Sequence, residues 1–224
     1  MPEALSSLEQ ALKLDPKLIP ALTLYAKIAM SMNRLELARE SLERALAVDP
    51  KAAYARFLYG LSYYLGNDLA HALPEFERAR AANPKDGRAS LYLGLTYEST
   101  GRTGEAMRMY EESVRVGPST EGYLAGARLL YLEGRLDECE RWIRDALKLE
   151  PDSRDAHFEL ARLLLREQKM EPAAMEGERA LELREGAVTD SQIHYLLIRA
   201  YRDIAPALSR QHAEALRLLE EPKK

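Results

Sequence analysis

Five prolines recur along the chain at an almost constant interval. Pro16, Pro50, Pro84, Pro118 and Pro151 are separated by 34, 34, 34 and 33 residues. A period of this length is typical of arrays built from one repeated helical unit, which cannot bury its apolar face alone and therefore stacks on its neighbours. Proline disfavours helical geometry in the residue before it and suits the first turn of the next helix. The prolines therefore predict boundaries between stacked helical units, not several separate globular domains.

Each interval between prolines contains two amphipathic stretches. Before Pro50, apolar side chains lie three or four residues apart, as at Leu42 and Leu46, which is typical of a helix. After Pro50, a second such stretch ends at Gly66-Asn67, and both residue types tolerate the left-handed conformation that commonly closes a helix. The corresponding turn positions of the other units are Asn33, Gly101, Gly134 and Gln168. The pattern predicts a helical hairpin in every unit.

The residues around these turns also follow a fixed order. In one unit the order is Tyr59-Gly60, Tyr63, Ala72, Phe76, Ala79 and Pro84, and in the next it is Leu93-Gly94, Tyr97, Ala106, Tyr110 and Pro118. This succession of small, aromatic, alanine and proline positions resembles the tetratricopeptide repeat. Weaker copies lie on either side, so the resemblance covers nearly the whole chain.

The resemblance implies an all-α fold, a right-handed α-solenoid of tetratricopeptide-type hairpins with about 13 helices. We expect a single array over residues 1–221, which opens with a lone helix as a half repeat at 3–16. Five full repeats are then expected at 19–50, 53–84, 87–118, 120–151 and 154–185. A divergent capping repeat is expected at 191–221, followed by a polar tail at 222–224.

The first helix lacks the partner that a complete repeat would place before it. Leu5, Leu8 and Leu12 would then form an exposed apolar stripe, and such a stripe generally marks a contact. Either the sequence is cut from a longer array, or the stripe packs on another domain or on a second copy of the chain. The second case would give a homo-oligomer through the unpaired N-terminal helix.

The last repeats depart from the consensus in three places. Gly177 replaces the large apolar residue of its helix, and Glu185 replaces the proline that follows. We expect this helix to be the most loosely packed. Further on, residues 204–208 contain an insertion with Pro206, so the last helix is expected at Ala213 to Glu221.

Composition and motifs argue against several classes of function. Lys plus Arg number 32 against 36 Asp plus Glu, a net charge of −4, whereas nucleic-acid proteins usually carry excess positive charge. The single cysteine, Cys139, falls where two helices meet, so burial is expected rather than nucleophilic chemistry. The four histidines show no metal-ligand spacing, and no phosphate-binding loop or nucleophile elbow is present. We expect no enzymatic activity, no cofactor, no metal site and no nucleic-acid partner.

The sequence gives little information on the compartment. No stretch approaches the roughly 18 uninterrupted apolar residues that span a bilayer. The N-terminus Met1-Pro2-Glu3-Ala4 lacks the basic and apolar blocks of a signal peptide. We therefore expect no membrane insertion, and the cytoplasm is favoured. A segment cut from a longer exported or anchored protein would look the same, so the compartment is left open.

The resemblance also implies a binding surface, because certain positions of each first helix line a concave groove in the tetratricopeptide family. Carried over position by position, they give the candidate partner-binding residues Tyr54, Phe57, Leu61, Tyr64, Leu91, Leu95, Leu124, Arg128, Tyr131, Phe158, Arg162, Tyr195 and Arg199. The N-terminal members are apolar and aromatic. The C-terminal members include an arginine ladder, defined as Arg128, Arg162 and Arg199.

Two interpretations of the arginine ladder are open. Guanidinium groups present forked donors suited to carboxylates, so the ladder and the aromatic residues together predict an acidic peptide that also carries aromatic or aliphatic side chains. The alternative is that the arginines pair internally with acids on adjacent helices, a common fate of charges on repeat surfaces. The acids available for this pairing are Glu121, Asp155, Glu159 and Asp203.

The function implied by the resemblance is a non-catalytic scaffold that binds a peptide or a segment of another protein in the groove. One alternative is a structural module that associates with itself through the N-terminal helix. Another is a regulatory part of a larger polypeptide truncated at its N-terminus. The identity of the partner does not follow from the sequence, because one fold hosts many unrelated functions.

Overall fold

The computed structural model describes residues 2–220, and the side chains of residues 7–220. Thirteen α-helices and no strands lie within residues 2–220. They are α1 (Pro2–Leu14), α2 (Ile19–Ser31), α3 (Leu35–Val48), α4 (Ala53–Leu65), α5 (Leu69–Ala82), α6 (Gly87–Ser99), α7 (Thr103–Val116), α8 (Thr120–Leu132), α9 (Leu136–Leu149), α10 (Arg154–Arg166), α11 (Met170–Glu182), α12 (Asp190–Tyr201) and α13 (Pro206–Glu220). The expected all-α fold of helical hairpins is confirmed.

The chain divides into two compact units, here called the N-terminal unit (Met1–Pro118) and the C-terminal unit (Ser119–Lys224). In the N-terminal unit α1 packs on α2, and the hairpins are α2–α3, α4–α5 and α6–α7. In the C-terminal unit the hairpins are α8–α9, α10–α11 and α12–α13. Within each unit the second helix of a hairpin also contacts the first helix of the next, so each hairpin buries its apolar face against a neighbour.

One turn geometry closes the first helix of five hairpins. The turn residues with positive φ are Asn33 (56°), Asn67 (58°), Gly101 (76°), Gly134 (77°) and Gln168 (61°). The residue after each turn residue donates its N–H to a carbonyl five positions earlier, as Arg34 does to Ala29 at 2.8 Å. This bond satisfies one of the carbonyls that a helix end otherwise leaves unpaired. The turn positions expected from the sequence are confirmed.

Small residues opposite large ones set the spacing within the hairpins. Phe76 and Tyr110 are fully buried in the N-terminal unit, and burial of a phenylalanine side chain contributes about 2–3 kcal/mol. A Cβ atom at Gly94 would lie 2.4 Å from Cε1 of Tyr110, so α6 and α7 can approach this closely only with glycine at that position. The Tyr110 hydroxyl donates a hydrogen bond to Glu98, which compensates its burial.

The first helix exposes less apolar surface than the sequence analysis expects. Leu12 is buried, and Leu8 is partly buried against the core of the N-terminal unit. The side chain of Leu5 lies outside the described residues. Leu8 and Leu12 are therefore covered within their own unit, whereas Leu14 at the end of α1 is 90% exposed.

The structure corrects two expectations about the last helices. The helix α11 is continuous from Met170 to Glu182, and a Cβ atom at its buried Gly177 would lie 2.7 Å from Leu197, so the packing there is tight and not loose. The expected start of the last helix at Ala213 is wrong, because α13 begins at Pro206. Proline suits the first helical position, where its missing N–H would have no intrahelical partner.

Candidate functional site on the first helices of the hairpins

The N-terminal unit contains an aromatic cluster of Tyr54, Phe57, Tyr64, Phe76 and Tyr92. Phe57 lies at its centre. The ring centroid of Phe57 is 6.4 Å from that of Tyr54 and 5.5 Å from that of Tyr92. Phe76 and Tyr64 complete the cluster, at 5.6 Å and 5.5 Å from Tyr92. Phe57 and Phe76 are buried, whereas Tyr54 is 36% exposed, so the cluster has a buried base and an exposed edge.

Arg88 lies across the exposed edge of the aromatic cluster. Its guanidinium carbon is 4.9 Å from the ring centroid of Tyr54 and 5.4 Å from that of Phe57, within the range of cation–π attraction. Asp86 caps the start of α6 and accepts a hydrogen bond from Nε of Arg88 at 2.8 Å. This bond lowers the pKa of the Asp86 carboxyl below its ordinary value. Sequence reasoning missed Arg88, although it occupies in α6 the helical position that Tyr54 occupies in α4.

The six candidate residues of the N-terminal unit differ in the surface that they leave for a partner. Phe57 and Leu91 are buried, so both act as packing residues in this structure. The candidates that keep exposed surface are Tyr54, Leu61, Tyr64 and Leu95. The accessible part of this face is therefore aromatic and aliphatic, with the paired Arg88 above it.

In the C-terminal unit, Glu159 of α10 joins two members of the arginine ladder. Its carboxylate accepts a hydrogen bond from Nε of Arg128 at 2.7 Å and lies 2.8 Å from a terminal nitrogen of Arg162. The Glu159 side chain is 5% exposed, and a carboxylate at such depth requires this compensation. The side chains of Arg128 and Arg162 stay 44% and 34% exposed. Internal pairing is therefore observed for these two arginines, and both keep an accessible face.

A cavity of about 430 Å³ borders Arg128 in the C-terminal unit. Its lining includes the candidate Leu124, which is buried, and the carboxylates of Glu121, Glu150, Asp155 and Glu185. Asp155 accepts hydrogen bonds from the backbone N–H groups of Ala187 and Val188 at 3.0 and 2.8 Å, which ties the connection between α11 and α12 to α10. Because carboxylates outnumber the single arginine here, this cavity disfavours an acidic ligand.

Two arginines of α10 lie against the ring of Tyr131. The guanidinium carbons of Arg162 and Arg166 are 4.4 and 4.6 Å from its centroid. Arg166 also donates a hydrogen bond to the backbone carbonyl of Tyr131. Stacking of this kind fixes the direction of a guanidinium group without neutralising its charge. Sequence reasoning missed Arg166.

Arg199 differs from the rest of the arginine ladder. It is exposed on α12 and forms no ion pair with Asp203 or with any other acid among residues 7–220. Tyr195 lies one turn before it on the same helix face and is 61% exposed. Together with Phe158 and Leu216, Tyr195 lines a cavity of about 320 Å³, whose other lining residues are Ser191, Gln192 and Glu220. The same pair, an aromatic residue followed by arginine one turn later, thus occurs twice: as Phe158 and Arg162 on α10, and as Tyr195 and Arg199 on α12.

The chemistry of these surfaces is that of recognition. Aromatic faces, guanidinium groups and carboxylates supply stacking, ion pairing and apolar burial to a partner. Among residues 7–220, no group of His, Cys, Asp and Glu side chains has an arrangement that could hold a metal ion. Cys139 is buried, and burial raises the pKa of its thiol to about 11. Within residues 2–220 no helix has the length and apolar character needed to cross a membrane.

Comparison with known proteins places these hairpins among known repeats. Family models described as tetratricopeptide repeat match residues 1–58, 66–121 and 120–163. No curated protein matches the sequence. Among solved structures, pilF of Pseudomonas aeruginosa is similar over 90% of this chain and 89% of its own, with a TM-score of 0.77 and 17% identity.

Two further solved structures have the same type of fold as this chain. YrrB, described as a TPR protein with an unusual peptide-binding site, is 21% identical with a TM-score of 0.59, over 87% of this chain and 97% of its own. MamA is 26% identical with a TM-score of 0.56, over 66% of this chain and 86% of its own. At identities below 25%, the likeness to pilF and YrrB shows the fold alone.

Proposed function

The chain belongs to the tetratricopeptide repeat family of protein–protein interaction scaffolds, and we propose that it binds an acidic, partly apolar segment of a partner protein without catalysis. The contact surfaces that we propose, one on each unit, consist of the exposed candidate residues on the first helices of the hairpins. YrrB, a relative in fold, is described as having a peptide-binding site, which supports a segment rather than a folded domain as the ligand.

The observation that carries this proposal is the charge balance of the arginine ladder. Three guanidinium groups face one buried carboxylate, since Arg128 and Arg162 share Glu159 and Arg199 has no acidic partner among the described residues. Counted against Glu159 alone, the set keeps an excess of two positive charges. The four carboxylates of the cavity beside Arg128 offset this excess there, so Arg162 and Arg199 are the groups that a segment with two carboxylates would contact. A charge-assisted contact contributes about 1.5–3 kcal/mol where the bound segment covers it from solvent and about 0.2–1 kcal/mol where it stays exposed, so two such contacts favour an acidic over a neutral segment.

The apolar part of the segment is assigned to the cavity of Phe158, Tyr195 and Leu216. Its volume of about 320 Å³ accommodates a large aliphatic or aromatic side chain with part of its backbone. Arg199 lies one helical turn from Tyr195, so a carboxylate a few residues away in an extended segment would reach it. The carboxylates around the other cavity, next to Leu124, would repel the segment and direct it towards Arg162 and Arg199.

The exposed edge of the aromatic cluster offers a second, apolar contact area in the N-terminal unit. Tyr54 and Tyr64 carry large rings with exposed surface, and Arg88 is already paired with Asp86. Aromatic rings of this kind are enriched where proteins bind partners. We assign aliphatic or aromatic side chains of the partner to this area, and carboxylates to the C-terminal unit.

The proposal is tested by selection from a displayed peptide library on the native chain, followed by measurement of the affinity of an enriched peptide. We expect peptides with two or more acidic residues beside a large apolar residue. Arg199→Glu is expected to weaken binding by at least about tenfold, because it replaces a charge-assisted contact with repulsion. Raising the salt concentration is expected to weaken binding of the native chain as well.

The matched control is Arg210→Glu, the same charge reversal at an exposed arginine of α13 that has no ion pair among the described residues. This variant is expected to bind within about twofold of the native chain, since Arg210 lines neither of the two cavities of the C-terminal unit. Enrichment of basic peptides, or equal binding by Arg199→Glu and the native chain, would show that the arginine ladder does not select an acidic segment.

A further inference from the structure

The last helix is held to its unit by an unusual anchor. Within α13, His212 is the one buried residue, at 7% exposure. Leu208, Leu218 and Leu219 of the same helix are exposed. A helix that docks mainly through apolar side chains would be insensitive to protonation, whereas a helix whose only buried side chain is an imidazole depends on the charge of that ring. Besides His212, α13 is held by a hydrogen bond from Ser209 to the carbonyl of Ile198 and by the half-buried Ala215 and Leu216, so the contacts of His212 contribute the one fully buried part of the docking interface.

Three side chains from two neighbouring helices enclose the His212 ring. Its Nδ1 lies 2.9 Å from Nδ1 of His194 on α12, and its Nε2 lies 3.0 Å from a carboxylate oxygen of Glu178 on α11. The ring also stacks on Tyr201, with centroids 5.7 Å apart and planes inclined by 5°. Tyr201 donates its hydroxyl to the same Glu178 oxygen at 3.2 Å.

Proton counting limits the charge that this arrangement can hold. Glu178 can only accept, so Nε2 of His212 carries a hydrogen. When His212 is neutral, its Nδ1 accepts and Nδ1 of His194 donates. When His212 is charged, its Nδ1 donates and that of His194 accepts. Both states keep the contact at 2.9 Å with at most one positive charge on the two rings.

A second proton destroys the contact. With both imidazoles charged, each Nδ1 carries a hydrogen and neither can accept, so two donors and two like charges would face each other at hydrogen-bond distance. Glu178 balances only one of these charges. The docked arrangement of the two rings therefore loses stability when both are charged, and with it the buried contact of α13.

We propose that the contact between His194 and His212 is an acid-sensitive latch, which holds α13 on α12 at neutral pH and releases the helix when both rings are protonated. Release would also remove Leu216 from the wall of the cavity that it forms with Phe158 and Tyr195. Acidification thus alters the C-terminal unit at a defined place. This conclusion does not depend on the identity of any partner.

The direction of the pH effect follows from the surroundings of His194. Burial, and then the neighbouring His212, lower the pKa of His194 below its ordinary value of 6.5, while Asp190 and Glu178 act in the opposite sense. Asp190 of α12 and Glu178 of α11 are the acids that act on His194, and Glu178 and Tyr201 also contact the ring of His212. Because the pKa of His194 is lower in the docked state than in the released state, this contribution to docking is fully present above pH 6.5. It is lost as the pH falls from 6.5 through the pKa that His194 has in the docked state.

The test is amide hydrogen exchange of the full chain at about pH 7.5 and pH 5.5, expressed as protection relative to the intrinsic exchange rate at each pH. Protection of α13 is expected to fall by up to about tenfold at the lower pH. Release of the helix lets His194 take up one proton, and pH 5.5 lies about one unit below the ordinary histidine pKa, which corresponds to a tenfold change in the equilibrium. The helix α10 serves as the internal reference and is expected to keep its protection. Nitrogen NMR of the imidazoles in the native chain is expected to show His194 gaining its proton over the same pH range.

The variant His194→Gln removes the second titrating ring, so its α13 protection is expected to change by less than about twofold between the two pH values. The matched control His71→Gln replaces an exposed histidine of the N-terminal unit and is expected to behave as the native chain. The latch is refuted if α13 keeps its protection at pH 5.5 in the native chain, or if His194→Gln loses it to the same extent. It is also refuted if the NMR titration shows both rings charged while α13 is still protected.

Discussion

A single methyl group at Gly126 should measurably weaken the C-terminal unit. Gly126 of α8 faces the ring of Trp142 on α9, and a Cβ atom there would lie 2.2 Å from Cζ3 and 2.6 Å from Cε3 of that ring. Contacts this short cannot be relieved by rotation of a flexible chain end, because both atoms belong to a rigid indole. The Trp142 ring also packs edge-on against Tyr123 at 5.7 Å, which limits its freedom to move.

The magnitude follows from two opposing effects of Gly126→Ala. Overpacking of a well-packed contact costs about 1–3 kcal/mol, and a clash with three atoms of one ring, the third being Cη2 at 2.9 Å, belongs at the upper end. Replacing a helical glycine by alanine gains about 1 kcal/mol of helix propensity. We therefore expect a net loss of about 1–2 kcal/mol in the free energy of unfolding. Gly104→Ala in α7 is the matched control, because nothing lies within 4 Å of its Cβ position, and it should be neutral or up to about 1 kcal/mol stabilising.

The assay is urea unfolding followed by tryptophan fluorescence, which reports on the C-terminal unit because Trp142 is the only tryptophan of the chain. Gly126→Ala is expected to lower the urea midpoint and to shift the native emission, since the ring must leave its contact with α8. An unchanged or higher midpoint with native emission would show that α8 and α9 adapt without cost. The steric argument would then be refuted.

Two further predictions concern buried polar groups of the C-terminal unit. Cys139 is buried and burial raises its thiol pKa to about 11, so alkylation at pH 8 is expected to be at least about a hundredfold slower than in the unfolded chain; rapid labelling of the native chain would contradict this. Glu159→Gln is expected to lose about 1–2 kcal/mol of stability in urea unfolding, a value reduced because Arg128 and Arg162 are partly exposed. The same variant should bind acidic peptides more tightly, and weaker binding would contradict the proposed competition between Glu159 and the ligand.

The helices and turns could be predicted because both depend on local sequence. A left-handed turn requires a residue that tolerates positive φ, and Asn67 and Gly101 stand where the structure has such turns. The start of α13 was not predictable in this way. Pro206 is compatible both with a loop and with the first position of a helix, and only the structure decides between them.

The sequence could indicate which helix face each candidate residue occupies, but not how far its side chain is exposed. Among the helical positions carried over from the family, Tyr54 and Tyr195 are exposed and therefore accessible to a partner. Phe57 and Leu91 occupy positions equivalent to that of Tyr195 and are nevertheless buried, Phe57 because the rings of Tyr92 and Phe76 pack against it. Exposure depends on the size of the side chains on the neighbouring helix, which a one-dimensional repeat pattern does not contain.

The charge of the site was the least predictable property, and the arginine ladder shows why. Arg128 and Glu159 are 31 residues apart, and their hydrogen bond exists only because α8 and α10 lie side by side. The same arrangement gives Arg162 a share of that carboxylate but provides Arg199 with none among the described residues. The three arginines occupy equivalent positions in the sequence, but in the structure Arg128 and Arg162 are partly neutralised, whereas Arg199 has no ion pair among the described residues. Arg199 is consequently the position at which a charge reversal best separates ligand binding from internal pairing, since it can disrupt a partner's contact without breaking one of the protein's own.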